Sequence, residues 1–350
     1  MRRAVAVLLC FLFVFLCGCG VTPAAEIPVQ TGGDVALSAQ DGVWELQFEF
    51  TGMTDAVLDG GTLYVGTGSA GMGAVLYEYQ LSTGTYTELY RSRFSSSSIY
   101  GLQLEDGLLV FYDSDALGPS QDLIHIDLAT GQSEILFSHT DESMFIGLPH
   151  TGGGYVSFLQ LDNNVGDIAL YLYQFGTGRS RIAATFPAAS GSAYHGMTDE
   201  AVYWCDFSSG KAKIKCFSLE TEETVSFPTA FARIENIALD SGMVYAYAYP
   251  DKEDLTQGSV VCFSRGGENT RVLLEEVGWH FQPAGELLAT FRNGQPLQLS
   301  RLSDGALLSI PELFPSSDCK LSADGRSLLV PTGENTLSIL DLEFYREQQP

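Results

Sequence analysis

Five histidines, a pair of cysteines, three acidic runs and one glycine-rich loop are the residues of this chain best suited to chemistry. His125, His139, His150, His195 and His280 show neither H-x-H nor H-E-x-x-H spacing, so no two imidazoles are set by sequence to reach one metal. His125 alternates within an apolar run and reads as a packed histidine. Asp113-Ser114-Asp115, Asp162 to Asp167 and Asp251 to Asp254 carry oxygen ligands. They lack the spacing and bidentate glutamate of an EF-hand loop and read as solvated turns. Gly66 to Gly71 matches G-x-G-x-x-G. A dinucleotide site needs a helix next, and Ala74 to Tyr79 reads as another strand. There is no G-x-S-x-G elbow. No metal and no cofactor is expected, and no catalytic residue is assigned.

The better candidates are planar side chains in the longer connections. Phe145, Tyr194, His195, Arg233, Trp279 and His280 come from different parts of the chain. Aromatics with Arg and His can hold a ligand by stacking and planar hydrogen bonding. The competing reading is that they only pack between neighbouring units. Cys205 and Cys216 flank the turn Ser209-Gly210-Lys211. A turn centred between Gly210 and Lys211 sets them opposite each other, close enough for a disulfide. Packed, reduced thiols are the alternative.

These residues are positioned by a repeat. A turn dipeptide recurs seven times before an apolar-aromatic run, at Gly60-Gly61, Asp106-Gly107, Gly152-Gly153, Asp199-Glu200, Ser241-Gly242, Ala284-Gly285 and Asp324-Gly325. A second ladder keeps step at Gly84, Gly131, Gly178, Glu222, Gly267 and Gly305. A period in the forties with several short strands per unit marks a β-propeller. Each unit reads as four strands. Tyr64, Phe111, Val202 and Leu288, on second strands, are expected to be buried. The last unit supplies only three strands, Cys319–Ser322, Ser327–Val330 and Leu337–Leu342. An orphan strand, Val43 to Phe50, opens the domain and is expected to pair with the last of these, hiding two sheet edges. The expected fold is all-β: a seven-bladed propeller of four-stranded blades over residues 41–345, closed by the N-terminal strand. Six blades is the competing count.

Apolar residues make up 45% of the chain, enough for a large core. The net charge is −25, which disfavours nucleic acid and anionic lipid surfaces and favours cationic partners. Arg2 and Arg3 precede the apolar run Ala4 to Leu16, which is shorter than the ~20 residues a spanning helix needs. Leu16-Cys17-Gly18-Cys19 resembles a bacterial lipobox. That resemblance implies a signal peptide over residues 1–18, and palmitate-type acylation of Cys19 as the new N-terminus. Residues 19–40 read as the lipidated end and a flexible tether.

The run Leu321-Ser322-Ala323-Asp324-Gly325-Arg326-Ser327-Leu328-Leu329, with Leu337 to Leu342 after it, resembles the repeat of TolB-like and YncE-like propellers. The resemblance implies a propeller and names no reaction. The expectation is a monomeric lipoprotein of the cell envelope, held to a membrane by its lipid anchor and binding an envelope protein or glycan without catalysis. A hydrolase or lyase acting on carbohydrate or peptide is the alternative, and a purely structural scaffold is the third.

Overall fold

The computed structural model describes residues 30–31, 42–50, 52–139, 142–240, 242–266, 269–276 and 278–347. The signal segment, most of the tether and Cys19 lie outside the described residues. Gln30–Thr31, within the expected tether, pair with Tyr86 and Thr85 on the outer edge of the first unit. That edge strand otherwise offers unpaired backbone groups.

The protein is all-β, and successive hairpins build its sheets. Four four-stranded sheets, one three-stranded sheet and one nine-stranded sheet are hydrogen-bonded units. The nine-stranded sheet holds two successive meanders, joined where Gly68–Ala70 pair with Ser96–Ser98. The Asp106-Gly107 turn shows why the dipeptides recur. Glu105 pairs with Leu108, leaving a two-residue loop with φ of 48° and 78°. Two positive φ values define a type I′ turn, whose twist matches the flanking strands and which favours Asp-Gly.

In such a meander the tight 1–2 and 3–4 turns share one end. The longer 2–3 connections and the links to the next unit share the other. First strands carry β-bulges within Met53–Asp59, Ser96–Glu105, Ser143–Gly152, Gly191–Met197 and Arg233–Asp240. Close approach of neighbouring first strands goes with these bulges. Gly147, at φ 68°, lies so near the next first strand that a Cβ would overlap the Ala193 carbonyl oxygen.

The core lies between sheets. Tyr64, Phe111, Val202 and Leu288 are all buried, as expected for second strands. Val43–Gln47 pairs antiparallel with Thr336–Asp341, setting Val43 opposite Leu340 and Leu46 opposite Leu337. The last pairing strand stops at Asp341, whose carboxylate accepts the amides of Glu343 and Phe344 and caps the short helix Leu342–Arg346.

Two expectations are corrected. The sixth unit has three strands, Trp279–Ala284, Leu287–Arg292 and Gln298–Arg301, and its fourth is reduced to a bridge between Ser300 and Leu307. Pro311 and Pro315 follow, and neither can donate to a ladder. The Cys205 hairpin turns one position earlier in register than the Gly210-Lys211 centre requires. Cys205 faces Ile214 and Cys216 faces Tyr203, so the cysteines are diagonal neighbours and both are free thiols.

Candidate functional site

The motif-like runs resolve as scaffolding. Asp162 and Asp251 accept amides two residues on, at 2.8 Å each, as turn-formers do. Asp113 is buried and accepts the Tyr90 and Ser92 hydroxyls at 2.8 and 2.7 Å. The glycine-rich run continues strand Thr62–Ala70 and leads into strand Val75–Gln80, with no helix to cap a phosphate. Among the described residues no group of three His, Cys, Asp or Glu side chains stands together as a metal site.

Of the six planar candidates, two are core. Phe145 is 4% exposed, stacked on Tyr112 at 5.1 Å and edge-on to Phe158 at 5.6 Å. The pleat of strand Ser143–Gly152 turns it into the aromatic cluster between two sheets, away from any mouth. His195 is 1% exposed, with Nε2 3.0 Å from Ser157 Oγ and its ring 4.7 Å from that of His150. The bulge before it exposes Ala193 and Tyr194 and buries His195. Burial holds His195 well below the ordinary imidazole range, and the neighbouring His150 adds to this. His150 is pushed down to about 4, by burial first and by the charge of Lys320 second.

The other four gather at the long-connection end. Tyr194 is 46% exposed. Its phenol is raised by burial first and then by the negative charge of Glu235 and Asp318. Arg233 Nε donates to Glu235 Oε1 at 2.7 Å, and its guanidinium lies 5.2 Å over the buried Phe207 ring. His280 Nδ1 donates to Asp318 Oδ1 at 2.6 Å, while the ring stacks on Phe291 at 4.5 Å. Trp279 donates its indole N–H to the Glu275 carbonyl at 3.1 Å and carries the Arg292 guanidinium 4.5 Å above its ring. Tyr249 joins the same group, its phenol raised by burial and then by Glu235.

Sequence reasoning missed Glu235, Asp318, Tyr249 and Arg292. Glu235 was within reach, since it follows Arg233 by two along one strand and shares its face. Asp318 had no such signal, because only the fold brings it to a histidine 38 residues earlier. Also missed was a clamp of three first strands. Lys320 Nζ reaches Asp55 Oδ2 at 2.6 Å and the Leu102 carbonyl at 3.2 Å, while Asp55 accepts the Leu102 amide at 2.8 Å.

Two cavities open at this end. One of about 420 Å³ is lined by Trp279, Arg292, Asn293, Gln295, Pro296 and Gln298. The other, of about 350 Å³, lies among Met53, Thr54, Asp55, Ser316, Ser317 and Glu334. Both fall within the ~300–1,000 Å³ of small-ligand sites.

The histidine pair, His195 buried and His150 half-buried, makes stability depend on acid. Below pH ~6.5 the unfolded chain takes up protons on these imidazoles that the folded chain refuses, so stability falls as pH drops toward 4. Each unit of depression is worth about 1.4 kcal/mol, or about 3 kcal/mol for His150. Urea unfolding of His150→Gln should show a shallower loss between pH 6.5 and 4 than the parent. Equal slopes would remove the imidazole from the cause.

No protein-family model matches the chain, and no curated protein sequence is similar to it. Solved structures are similar in fold. An oligogalacturonate lyase from Vibrio parahaemolyticus has a TM-score of 0.66 at 11% identity, over 92% of this chain and 100% of its own. An oligogalacturonate lyase in complex with manganese gives 0.60 at 13% identity, over 91% of this chain and 96% of its own. The Dos1 propeller gives 0.51 at 14% identity, over 84% of this chain and 78% of its own. At such identities the likeness shows the fold, and the fold is that of a β-propeller.

Proposed function

We propose that this chain is an extracytoplasmic lipoprotein, held at a membrane by acyl chains on Cys19, whose propeller is a non-enzymatic binding scaffold for a protein or glycan partner. The observation that carries the reading is the convergence of Tyr194, Arg233 with Glu235, Tyr249, and His280 with Asp318 at one end. These groups come from different units. Arg233 and Glu235 pair with each other, as do His280 and Asp318, and the Tyr194 ring is left exposed beside them. Such a surface suits recognition by stacking and planar hydrogen bonds.

We propose seven blades closed by the N-terminal strand. Dividing the nine-stranded sheet at Gly68–Ala70 yields two four-strand units, the first with Gln30–Thr31 added at its edge, which with the other five sheets makes seven. The pairing of Val43–Gln47 with Thr336–Asp341 supports closure, as does the Lys320–Asp55 contact. A lipid anchor outside the cytoplasm is consistent with a surface this acidic staying dispersed beside a membrane.

A hydrolase or lyase acting on carbohydrate or peptide is the second reading. The His280–Asp318 pair favours it, since an imidazole whose Nδ1–H is held by a carboxylate presents Nε2 as a base.

Two experiments test this reading. Metabolic labelling with a palmitate analogue should mark the parent and leave Cys19→Ser unmarked; equal labelling would end the anchor assignment. Tyr194→Ala with Arg233→Ala should lower partner recovery from envelope extract at least about tenfold at an unchanged melting temperature. Unchanged recovery would place the binding surface elsewhere.

A further inference from the structure

The cavity at the sixth unit has a different character from the rest of the long-connection end. Its rim is built by the 2–3 connection of that unit and by the ends of Trp279–Ala284 and Leu287–Arg292, where Trp279 and Arg292 are cross-strand partners. Three carboxamides, from Asn293, Gln295 and Gln298, line it and are exposed. Among the described residues no hydrogen bond engages these three side chains. Trp279 and Pro296 supply the apolar part of the wall.

Among the described residues, the cation lining the cavity, Arg292, is already matched. Arg292 Nη2 donates to Glu276 Oε2 at 2.7 Å, and its plane lies on the Trp279 ring. Glu276 is held there with φ at 73°, a value that L side chains seldom adopt. The site therefore offers several neutral groups that can both donate and accept, beside a neutralised ion pair. An anionic ligand would meet Glu276 and a body of charge −25. A cationic ligand would meet Arg292.

We propose that this cavity binds a neutral, polyhydroxylated sugar unit of a glycan, the carboxamides of Asn293, Gln295 and Gln298 holding its hydroxyls. Each carboxamide presents an N–H₂ donor and a C=O acceptor in one plane, which matches neighbouring hydroxyls that also do both. The Trp279 edge and Pro296 face the sugar's C–H surface. The inference rests on the binding-scaffold reading and gives its glycan arm a place and a chemistry.

The test is calorimetric titration of the detergent-solubilised full chain. The probes are cellotetraose, maltotetraose and chitotetraose (N-acetylated) as neutral sugars, and tetragalacturonate as the acidic comparison. At least one neutral tetrasaccharide should bind saturably, with an affinity unchanged between 50 and 500 mM NaCl, as about expected where no net charge is neutralised. Asn293→Ala with Gln298→Ala, one exposed in the connection and one exposed at a strand end, should weaken that binding at least about tenfold. Failure of all three neutral sugars, tighter binding of tetragalacturonate, or full binding by the double variant would each overturn the proposal. Partner recovery lost in the Tyr194 and Arg233 variant, with none of the three neutral sugars bound by the parent, would leave the scaffold reading standing while the sugar site falls.

Discussion

The antiparallel pairing of Val43–Gln47 with Thr336–Asp341 is the contact on which the rest depends. It joins residues almost a whole chain apart, so it sets the loop entropy that folding must overcome. It also removes two sheet edges that would otherwise stay open to other chains. The pleat gives it a second role. Val43, Leu340 and Leu342 enter one core cluster with Leu287, Phe291 and Leu299 of the sixth unit. Leu46, Leu337 and Ile339 enter another with Leu58, Leu63 and Tyr79 of the first. One sheet thus supplies core to both neighbours.

The position of the first strands follows from that frame. Lys320, Asp55 and Leu102 tie the last, first and second units across the seam with a charge-assisted contact that is mostly shielded from water. Bulges along five first strands turn selected residues out of the alternation, and Tyr194 owes its exposure to one of them. Glu235 and Asp318 then place negative charge near a phenol, while Arg233 pairs with Glu235 and His280 hydrogen-bonds Asp318. The mouth is therefore a set of locally matched pairs inside a strongly acidic molecule.

Much of the fold was legible because turns and pleats are local. The dipeptide period, the burial of Tyr64, Phe111, Val202 and Leu288, and the strand at Val43 all follow from backbone chemistry and alternation. The placement of the candidate residues was legible in part. Tyr194, Arg233, Trp279 and His280 do reach one end of the units. Phe145 and His195 are turned into the core instead, because bulges and pleats decide which way a residue points, and a bulge leaves little trace in an apolar sequence. The Cys205 hairpin failed by one position of turn register, enough to replace a facing pair with a diagonal one. The prolines after Leu307 were visible, but their effect on a fourth strand was outweighed by the regular period.

Amide hydrogen exchange of residues 43–47 in the full chain tests the central claim most directly. The account predicts protection as strong as that of Leu63 and Val65, since both segments are held by the same cooperative core. Exchange as fast as that of the open turns would contradict it, because the N-terminal strand would then be a loosely attached edge and not the element that holds the propeller together.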